Sequence, residues 1–210
     1  KEVLKSYDFA LTNAPEDFVA RDRAAELFFL DAPRSANPLL RGLAYGAVHT
    51  FGMSLLYPGS TSVLNLIVQS SLRSARTLAI NHKMCKRVTI KSTEGDFIDV
   101  LYKEGRGANR STLVICSEGN AGFYEIGVMG TVEPLGYALL GWNHPGFGES
   151  TGSPHPRATL AAAEAVYQYA TDVLGYADKD IVLFGWSIGG FPSTWLAANH
   201  PGVKGVVLDA

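Results

Sequence analysis

The sequence has few charged residues, few cysteines and no long apolar run. Charged residues make up 18% of the 210 residues, below the quarter or so that is usual in globular proteins. The net charge of −2 gives no indication of a nucleic-acid partner. Cys85 and Cys116 are too few for the disulfide framework of a small secreted domain; Cys116 is predicted to be a buried thiol, and a single disulfide bond stays open. No run of about 18 uncharged apolar residues occurs, so no transmembrane helix is predicted in this stretch.

Acidic residues are absent from one long block, between Ala32 and Thr93. The basic residues of this block are Arg34, Arg41, Arg73, Arg76, Lys83, Lys86, Arg87 and Lys91. Its centre, residues 43–57, is strongly apolar, and positions 64, 67, 68, 72, 75, 78 and 79 predict one apolar helix face with Arg73 and Arg76 beside it. An anionic membrane surface is one partner that would suit this pattern. The alternative interpretation is a helix pair that packs on a catalytic domain and keeps its arginines in solvent.

The second part of the chain alternates between strand and helix patterns. Two alternating strands, 87–91 and 96–103, are followed by apolar runs at 112–116, 137–142, 181–184 and 203–209. Helical patterns separate these runs, one extending to about Leu135 and another from 160 to 174. Apolar strands of this kind indicate a parallel sheet covered on both faces. We therefore predict an α/β fold, with a helical basic-apolar extension at 1–82 and a catalytic domain at 83–210 that is incomplete at its C-terminus.

The strongest motif follows the apolar run at 181–184. Gly185-Trp-Ser-Ile-Gly189 matches the G-x-S-x-G pattern, and a helical segment follows it. A strand, a serine with glycines two residues before and after it, and then a helix are typical of a nucleophile elbow. Side chains at Gly185 or Gly189 would collide with the neighbouring strand or helix. Ser187 is therefore the predicted catalytic nucleophile.

A glycine-containing loop, residues 118–122, follows the first apolar strand, where α/β-hydrolases place half of their oxyanion hole. Ester hydrolysis develops negative charge on the carbonyl oxygen, which two backbone N–H groups can stabilise. We expect one N–H from Ile188 and the other from Asn120, with Ala121 as the alternative.

A catalytic serine also needs a general base and an orienting acid. In this fold the chain order is serine, acid and then histidine, but His200 ends the helix on the wrong side of the sheet. His144 and Asp209 lie on the correct rim and form an alternative set with Ser187. The preferred interpretation is that the acid and the base lie beyond Ala210. The spacing of the histidines suits no metal site.

Several motifs together resemble a known family far more specifically than the elbow does. The segments are 56–60 (Leu-Tyr-Pro-Gly-Ser), 118–125 (Glu-Gly-Asn-Ala-Gly-Phe-Tyr-Glu), 141–147 (Gly-Trp-Asn-His-Pro-Gly-Phe), 150–152 (Ser-Thr-Gly), 186–191 (Trp-Ser-Ile-Gly-Gly-Phe) and 208–210 (Leu-Asp-Ala). They resemble the animal α/β-hydrolase-domain phosphatidylserine lipases, from about Tyr7 to the last residue. The family's upstream membrane segments and its catalytic aspartate and histidine have no counterpart in these 210 residues.

The resemblance implies a serine lipase that releases fatty acid and lysophosphatidylserine from phosphatidylserine. It also implies monoacylglycerol lipase activity as a second possibility, the α/β-hydrolase fold, no cofactor, and a location at a membrane, that of the endoplasmic reticulum. Ser187 matches the family's nucleophile. An acyl thioesterase or acyltransferase using the same serine is the alternative enzyme. An inactive, lipid-binding fragment is the non-enzymatic alternative.

Overall fold

A computed structural model of the chain describes residues 6–11, 38, 42 and 52–210. Within these residues, seven strands form one sheet. The strands are β1 (Phe9–Ala10), β2 (Cys85–Lys91), β3 (Phe97–Lys103), β4 (Leu113–Ser117), β5 (Ala138–Trp142), β6 (Ile181–Trp186) and β7 (Gly205–Asp209). The α-helices are α1 (Met53–Leu56), α2 (Ser62–Lys83), α3 (Met129–Val132), α4 (Pro156–Gln168) and α5 (Gly190–Asn199). One π-helical segment, Tyr169–Val173, continues α4.

The strand order is β1-β2-β3-β5-β4-β6-β7. Strands β4, β5, β6 and β7 pair in parallel, whereas β3 is antiparallel to both β2 and β5. From β4 the chain crosses to β5 on one side, and from β6 it continues to β7 on the other. The order of the sheet therefore reverses between β4 and β6, and such a switch point opens a crevice at the carboxyl ends of the strands.

Apolar side chains cover both faces of the sheet, as the apolar runs predict. On one face, Ile90, Leu140 and Leu183 pack with Val166 of α4 and Leu196 of α5. On the other face, side chains of β3, β4 and β5 pack against the segment that leads into and includes α3, and against Ala79 of α2. The buried members include Leu101, Val114, Cys116, Leu139, Tyr124, Val128, Met129 and Val132. The prediction of an α/β fold with a mostly parallel sheet is confirmed.

Several local features differ from the predictions. The helix expected to run to about Leu135 is a series of turns followed by the single-turn α3 and a 3-10 helix at Glu133–Leu135. Both cysteines are free and buried, so the disulfide bond that the sequence left possible is not formed between them. Strand β1 and helix α2, both from the predicted extension, contact the sheet region directly. The domain border at residue 82 stays a prediction, and most of the predicted apolar centre, 43–51, lies outside the described residues.

The packed face of helix α2 matches the predicted one only in part: positions 64, 68, 72, 75 and 79 are buried or half-buried, and two predicted positions are exposed. Leu72 is buried, but Ile67 and Leu78, expected on the same face, are 69% and 52% exposed. Arg76 is buried, so neither the membrane-facing nor the solvated position predicted for it is correct. The reason is that α2 packs against carboxylates as well as apolar side chains, and Arg76 is needed inside to pair with them. Within the described part of the chain, no helix has the length and apolar character needed to cross a membrane.

Candidate active site

Ser187 lies at the sharp turn between β6 and α5. Its φ angle is +50°, in the left-handed region that non-glycine residues rarely occupy. Its side chain is exposed and makes no hydrogen bond with any other described residue. A strained, exposed serine at the carboxyl end of a parallel strand is the geometry of a nucleophile elbow. The hydroxyl therefore stands at the switch point, open to an incoming substrate.

The two glycines of the motif are required by close backbone contacts. A Cβ atom at Gly189 would lie 2.1 Å from the carbonyl oxygen of Ser117, the last residue of β4. At Gly185 it would lie 2.5 Å from the carbonyl oxygen of Gly189. A side chain at Gly189 would therefore push the turn away from β4, and one at Gly185 would push the turn away from β6. The next residue, Gly190, has far more room, since the nearest atom would be 3.8 Å away.

The loop after β4 lies directly beside this turn, because Ser117 and Gly185 are register partners. It forms a tight turn in which the N–H of Gly122 bonds to the carbonyl oxygen of Gly119, 2.9 Å away. Ala121 has a φ angle of +60°, a second strained residue in the same crevice. A Cβ atom at Gly119 would lie 2.6 Å from the ring of Trp186, so this glycine lets the loop and the elbow touch. The loop is thus placed where an oxyanion hole requires its N–H groups; the assignment to Asn120, or Ala121, and Ile188 stays a prediction.

The carboxyl group of Glu118 anchors the far end of this loop. Glu118 is completely buried, and its Oε2 accepts a hydrogen bond from the N–H of Val128 at 3.1 Å, just before α3 begins. Its Oε1 has no hydrogen-bond partner among the described residues. Burial raises the pKa of Glu118 to about 7, because the charged form loses its hydration. A Cβ atom at Gly127 would lie 1.9 Å from Oε2, so the carboxyl group fills the space that this glycine leaves.

His144, from the loop after β5, holds the backbone of Glu118. Its Nε2 lies 2.8 Å from the Glu118 carbonyl oxygen. The ring packs edge-on against Trp142 and Phe147, and burial lowers its pKa to about 4. The ring is therefore neutral near pH 7, and Nε2 donates to the carbonyl oxygen. The alternative base His144 has no contact with Ser187 among the described hydrogen bonds. Asp209, its partner in that set, is exposed at the end of β7, in register with Trp186.

Buried polar contacts tie α2 to the loop after β4 and to strand β3. Arg76 bonds to Glu125, and its Nε lies 3.1 Å from the hydroxyl oxygen of Tyr124. The Tyr124 hydroxyl donates a hydrogen bond to Asp99 on β3 at 3.2 Å. Asp99 also accepts a hydrogen bond from Nε of Arg87 at 2.7 Å. These contacts join the loop after β4 to the centre of the sheet.

The side-chain amide of Asn143 links the two loops to each other. Its Oδ1 accepts from the N–H of Tyr124 at 3.0 Å, and its Nδ2 donates to Glu125 at 3.1 Å. Ser150 completes the connection, since its hydroxyl donates to the Asn143 carbonyl oxygen and accepts from the Asp99 N–H. The residues of the two loop motifs are therefore structural partners of one another.

A small apolar cluster borders the elbow. Leu72 of α2, Phe123 and Phe147 are its buried members, and Tyr57, Val68 and Ile188 pack against them. The segment Tyr-Pro-Gly-Ser at 57–60 approaches closely, because a Cβ atom at Gly59 would lie 2.3 Å from the ring of Phe147. Ile188, the residue after Ser187, is thus in contact with a cluster to which α2 contributes.

The model of the α/β-hydrolase fold family matches residues 112–210, the segment that holds β4, the loop after it and the elbow. The chain has the α/β-hydrolase fold. It is 53% identical over 208 residues to an uncharacterised protein of Caenorhabditis elegans, covering 99% of this chain and 43% of that protein. It is 40% identical over 236 aligned residues to the human phosphatidylserine lipase ABHD16A, covering 100% of this chain and 42% of the lipase. The resemblance to the phosphatidylserine lipases is therefore confirmed, and the chain spans less than half the length of these relatives.

Solved structures support the α/β-hydrolase fold of this chain. An α/β-hydrolase from Vibrio vulnificus superposes with a TM-score of 0.59 at 20% identity, covering 82% of this chain and 57% of that one. An α/β serine hydrolase homologue from Coxiella burnetii gives a TM-score of 0.52, also at 20% identity, covering 59% and 61%. At this level of identity the likeness concerns the fold alone.

The residues that hold the two loops in place were not predicted from sequence. Arg76 was expected beside the apolar face of α2, although it follows Leu72 by four residues and so shares its helix face. Glu125 and Asn143 stand within the two loop motifs but received no role. The sequence signal that could have identified them is a charged residue among apolar ones, as at Arg76 and Glu125. A charge that is buried requires a partner, so such residues are expected to pair.

His200, excluded as a base from sequence, contacts Glu164 at 3.0 Å and stacks on Tyr167. It therefore takes part in the packing between α4 and the end of α5.

Proposed function

We propose that the whole protein is a serine hydrolase of membrane lipids in which Ser187 is the nucleophile. The observation that carries this proposal is the left-handed backbone of Ser187 at the sheet's switch point, directly beside the loop that follows β4. The backbone strain falls on one residue with an exposed hydroxyl, and the two glycines of the motif accept no side chain. Such strain is expected at residues whose geometry is needed for catalysis.

In the proposed reaction the Ser187 hydroxyl oxygen attacks the ester carbonyl carbon while a base takes its proton. The N–H groups of Ile188 and Asn120 would bind the resulting oxyanion, and each such donor contributes roughly 3–4 kcal/mol to lowering the barrier. The alcohol portion leaves with a proton, and water then releases the fatty acid from the acyl-enzyme. This chemistry needs no cofactor. We place the acid and the base in sequence outside these residues.

The proposed substrate is phosphatidylserine, with lysophosphatidylserine and fatty acid as products. Its support is the 40–41% identity to proteins named phosphatidylserine lipase, together with the loop motifs that the structure joins into one network. Monoacylglycerol hydrolysis stays a second prediction, as do the thioesterase and acyltransferase alternatives.

We further propose that the surface beside the elbow faces an anionic membrane, that of the endoplasmic reticulum. Leu55, Val63, Leu66 and Ile67 are each about 70% exposed or more, close in sequence to Tyr57 and Val68 of the cluster at Ile188. Exposed apolar side chains of this size favour an interface with lipid or protein. The exposed cation Arg73 on the same helix suits an anionic bilayer.

The test is the Ser187→Ala variant of the whole protein, with Ser153→Ala on an exposed loop as its matched control. We expect Ser187→Ala to lose fluorophosphonate labelling and phosphatidylserine hydrolysis, while Ser153→Ala retains both. Labelling that persists in Ser187→Ala would refute the nucleophile. A different outcome would refute the substrate alone: Ser187→Ala loses labelling, but the wild-type protein does not hydrolyse phosphatidylserine.

A further inference from the structure

A cavity of about 250 Å³ lies between the first half of α2 and the loop after β5. Asn65, Gln69 and Arg76 line it from the helix, and Gly148 and Glu149 line it from the loop. Asn65 fastens its two walls together, because its Oδ1 accepts a hydrogen bond from the N–H of Gly148 at 3.2 Å. The cavity is therefore a built feature of the contact between α2 and the loop.

Glu149 contributes an unsatisfied carboxylate oxygen to this cavity. Glu149 is only 8% exposed, and its Oε2 is closed off from solvent without a hydrogen-bond partner among the described residues. Its Oε1 lies 4.0 Å from Nη1 of Arg76, beyond hydrogen-bond distance, and accepts no hydrogen bond from any residue that the structure describes. A buried carboxylate without a donor is costly, so Oε1 is the oxygen that can accept a hydrogen bond from a cationic ligand in the cavity.

Arg76 contributes a donor of the opposite charge. Its Nε and Nη2 are engaged with Tyr124, Glu125 and Asp99. Its Nη1 makes no hydrogen bond with any residue that the structure describes. One wall of the cavity thus presents a guanidinium N–H group and a carboxylate oxygen side by side, the pair that a ligand with one ammonium and one carboxylate group would complement.

An apolar cluster connects the cavity with the elbow. Leu72 lines the cavity and also belongs to the cluster against which Ile188 packs. Gly148 and Glu149 directly follow Phe147, another member of that cluster. A lipid with its ester at Ser187 and its polar end in the cavity would extend along this cluster.

We propose that the cavity binds the zwitterionic α-amino-acid group of a serine headgroup, its ammonium at Glu149 and its carboxylate at Nη1 of Arg76. This inference rests on the proposed function, because it makes the cavity the headgroup subsite of the same lipase. It distinguishes headgroups by charge pattern: phosphatidylserine carries both groups, whereas phosphatidylglycerol carries neither.

The binding experiment uses the whole protein with Ser187→Ala, so that no turnover occurs. Calorimetry measures its affinity for glycerophosphoserine, glycerophosphoglycerol and free L-serine. Two variants change the cavity: Glu149→Gln removes the charge, and Ser62→Trp blocks the lining from an exposed helix position while leaving the buried charges intact. Glu94→Gln, the same chemical change at a surface ion pair with Arg157, is the control, and thermal unfolding checks that each variant folds.

We expect Glu149→Gln and Ser62→Trp each to weaken glycerophosphoserine binding at least about tenfold, the loss of one charged hydrogen bond. Glu94→Gln should bind as the parent does, and glycerophosphoglycerol should bind weakly to all. If L-serine binds as tightly as glycerophosphoserine, the ligand of the cavity is a free amino acid and not a lipid headgroup. Folded Glu149→Gln and Ser62→Trp variants that bind glycerophosphoserine like Glu94→Gln would overturn the proposal.

A kinetic experiment separates this proposal from the proposed function. With Ser187 intact, the ratio of kcat/KM for phosphatidylserine to that for phosphatidylglycerol should fall about tenfold in Glu149→Gln. An unchanged ratio in an enzyme that hydrolyses phosphatidylserine would refute the subsite. A wild-type enzyme that does not hydrolyse phosphatidylserine would refute the substrate, and the binding experiment would still decide what the cavity holds.

Discussion

The two halves of the candidate site are held in place by different kinds of contact. In the elbow, residues 185–189, the fit is steric: two glycines allow the turn to lie against β4, and the Ser187 side chain stays exposed without a hydrogen bond. In the loops after β4 and β5, the fit is polar: Glu118 and His144 are buried and bonded, as is Arg76 of α2, which contacts the first loop. The Ser187 hydroxyl is therefore free, while the loops beside it are held in place by the fold itself. If Ser187 is the nucleophile, this arrangement is the electrostatic preorganisation that catalysis requires.

The largest expected effect comes from filling the space in the elbow. Gly189→Ala would place a methyl group 2.1 Å from the Ser117 carbonyl oxygen, and because both sides are backbone the turn has to move. We expect fluorophosphonate labelling to fall by about a hundredfold or more, since a displacement of about 1 Å costs that much. We also expect the free energy of unfolding to fall by about 4 kcal/mol or more.

Gly190→Ala is the matched control for this change. It adds the same methyl group one residue later, where the nearest atom is 3.8 Å away. Its labelling and unfolding should stay close to the wild type. Equal labelling in the two variants would contradict the steric account of the elbow.

The next effect tests the buried charges of the loop half. Arg76→Leu would leave the buried carboxylate of Glu125 without its guanidinium, whereas Asp99 would keep Arg87, and breaking such a buried pair costs about 3–5 kcal/mol. We expect the urea midpoint of the whole protein to fall accordingly, and labelling of Ser187 to slow as the loop after β4 loosens. Arg73→Leu, on the exposed side of the same helix, should change stability by no more than about 0.5 kcal/mol. Similar losses in the two variants would show that the helix itself, and not the buried pair, is responsible.

The same division explains what the sequence could and could not predict. The elbow was predictable because five adjacent residues carry its pattern, even though the contact that requires Gly189 is with Ser117 on β4. The polar network was not, since Arg76 and Glu125 are 49 residues apart and no local pattern links them. The missing helix before Leu135 has a similar cause, because Glu118 bonds to the Val128 N–H and fixes a late start for α3. The strands were recovered almost completely, since apolar runs are local, but strand β1 at Phe9–Ala10 is too short to give a pattern.

A pH experiment tests Glu118 separately. Its folded pKa is about 7 against an ordinary 4.5, so between these values the folded protein keeps a proton that the unfolded chain has released. The free energy of unfolding therefore falls as pH rises from about 4.5 to about 7, by up to about 3 kcal/mol from this group. Glu118→Gln is neutral in both states, so its stability should depend less on pH over this window.

Urea midpoints at pH 5 and pH 7.5 measure this difference. Glu94→Gln, whose carboxylate is paired with Arg157 at the surface, should keep the wild-type slope. Glu125 also contributes to the slope, because burial raises its pKa as well, so a residual dependence is expected in Glu118→Gln. An identical pH dependence in Glu118→Gln and the wild type would show that Glu118 does not hold its proton in the folded protein.

The smallest effect concerns the hydrogen bond from His144 to the Glu118 carbonyl oxygen. His144→Phe keeps an aromatic ring against Trp142 and Phe147 but removes the donor, leaving a buried carbonyl oxygen without it at a cost of about 1–3 kcal/mol. Because the pKa of His144 is lowered to about 4, a positioning role predicts that wild-type labelling shows no titration of this ring near pH 6 to 7, and His144→Phe should slow labelling by a similar factor at every pH tested. If His144 were instead the base of Ser187, the variant would abolish labelling while leaving the unfolding midpoint almost unchanged. The ratio between the loss of stability and the loss of labelling therefore decides whether the loop half supports the nucleophile through the backbone of Glu118 or acts on its hydroxyl directly.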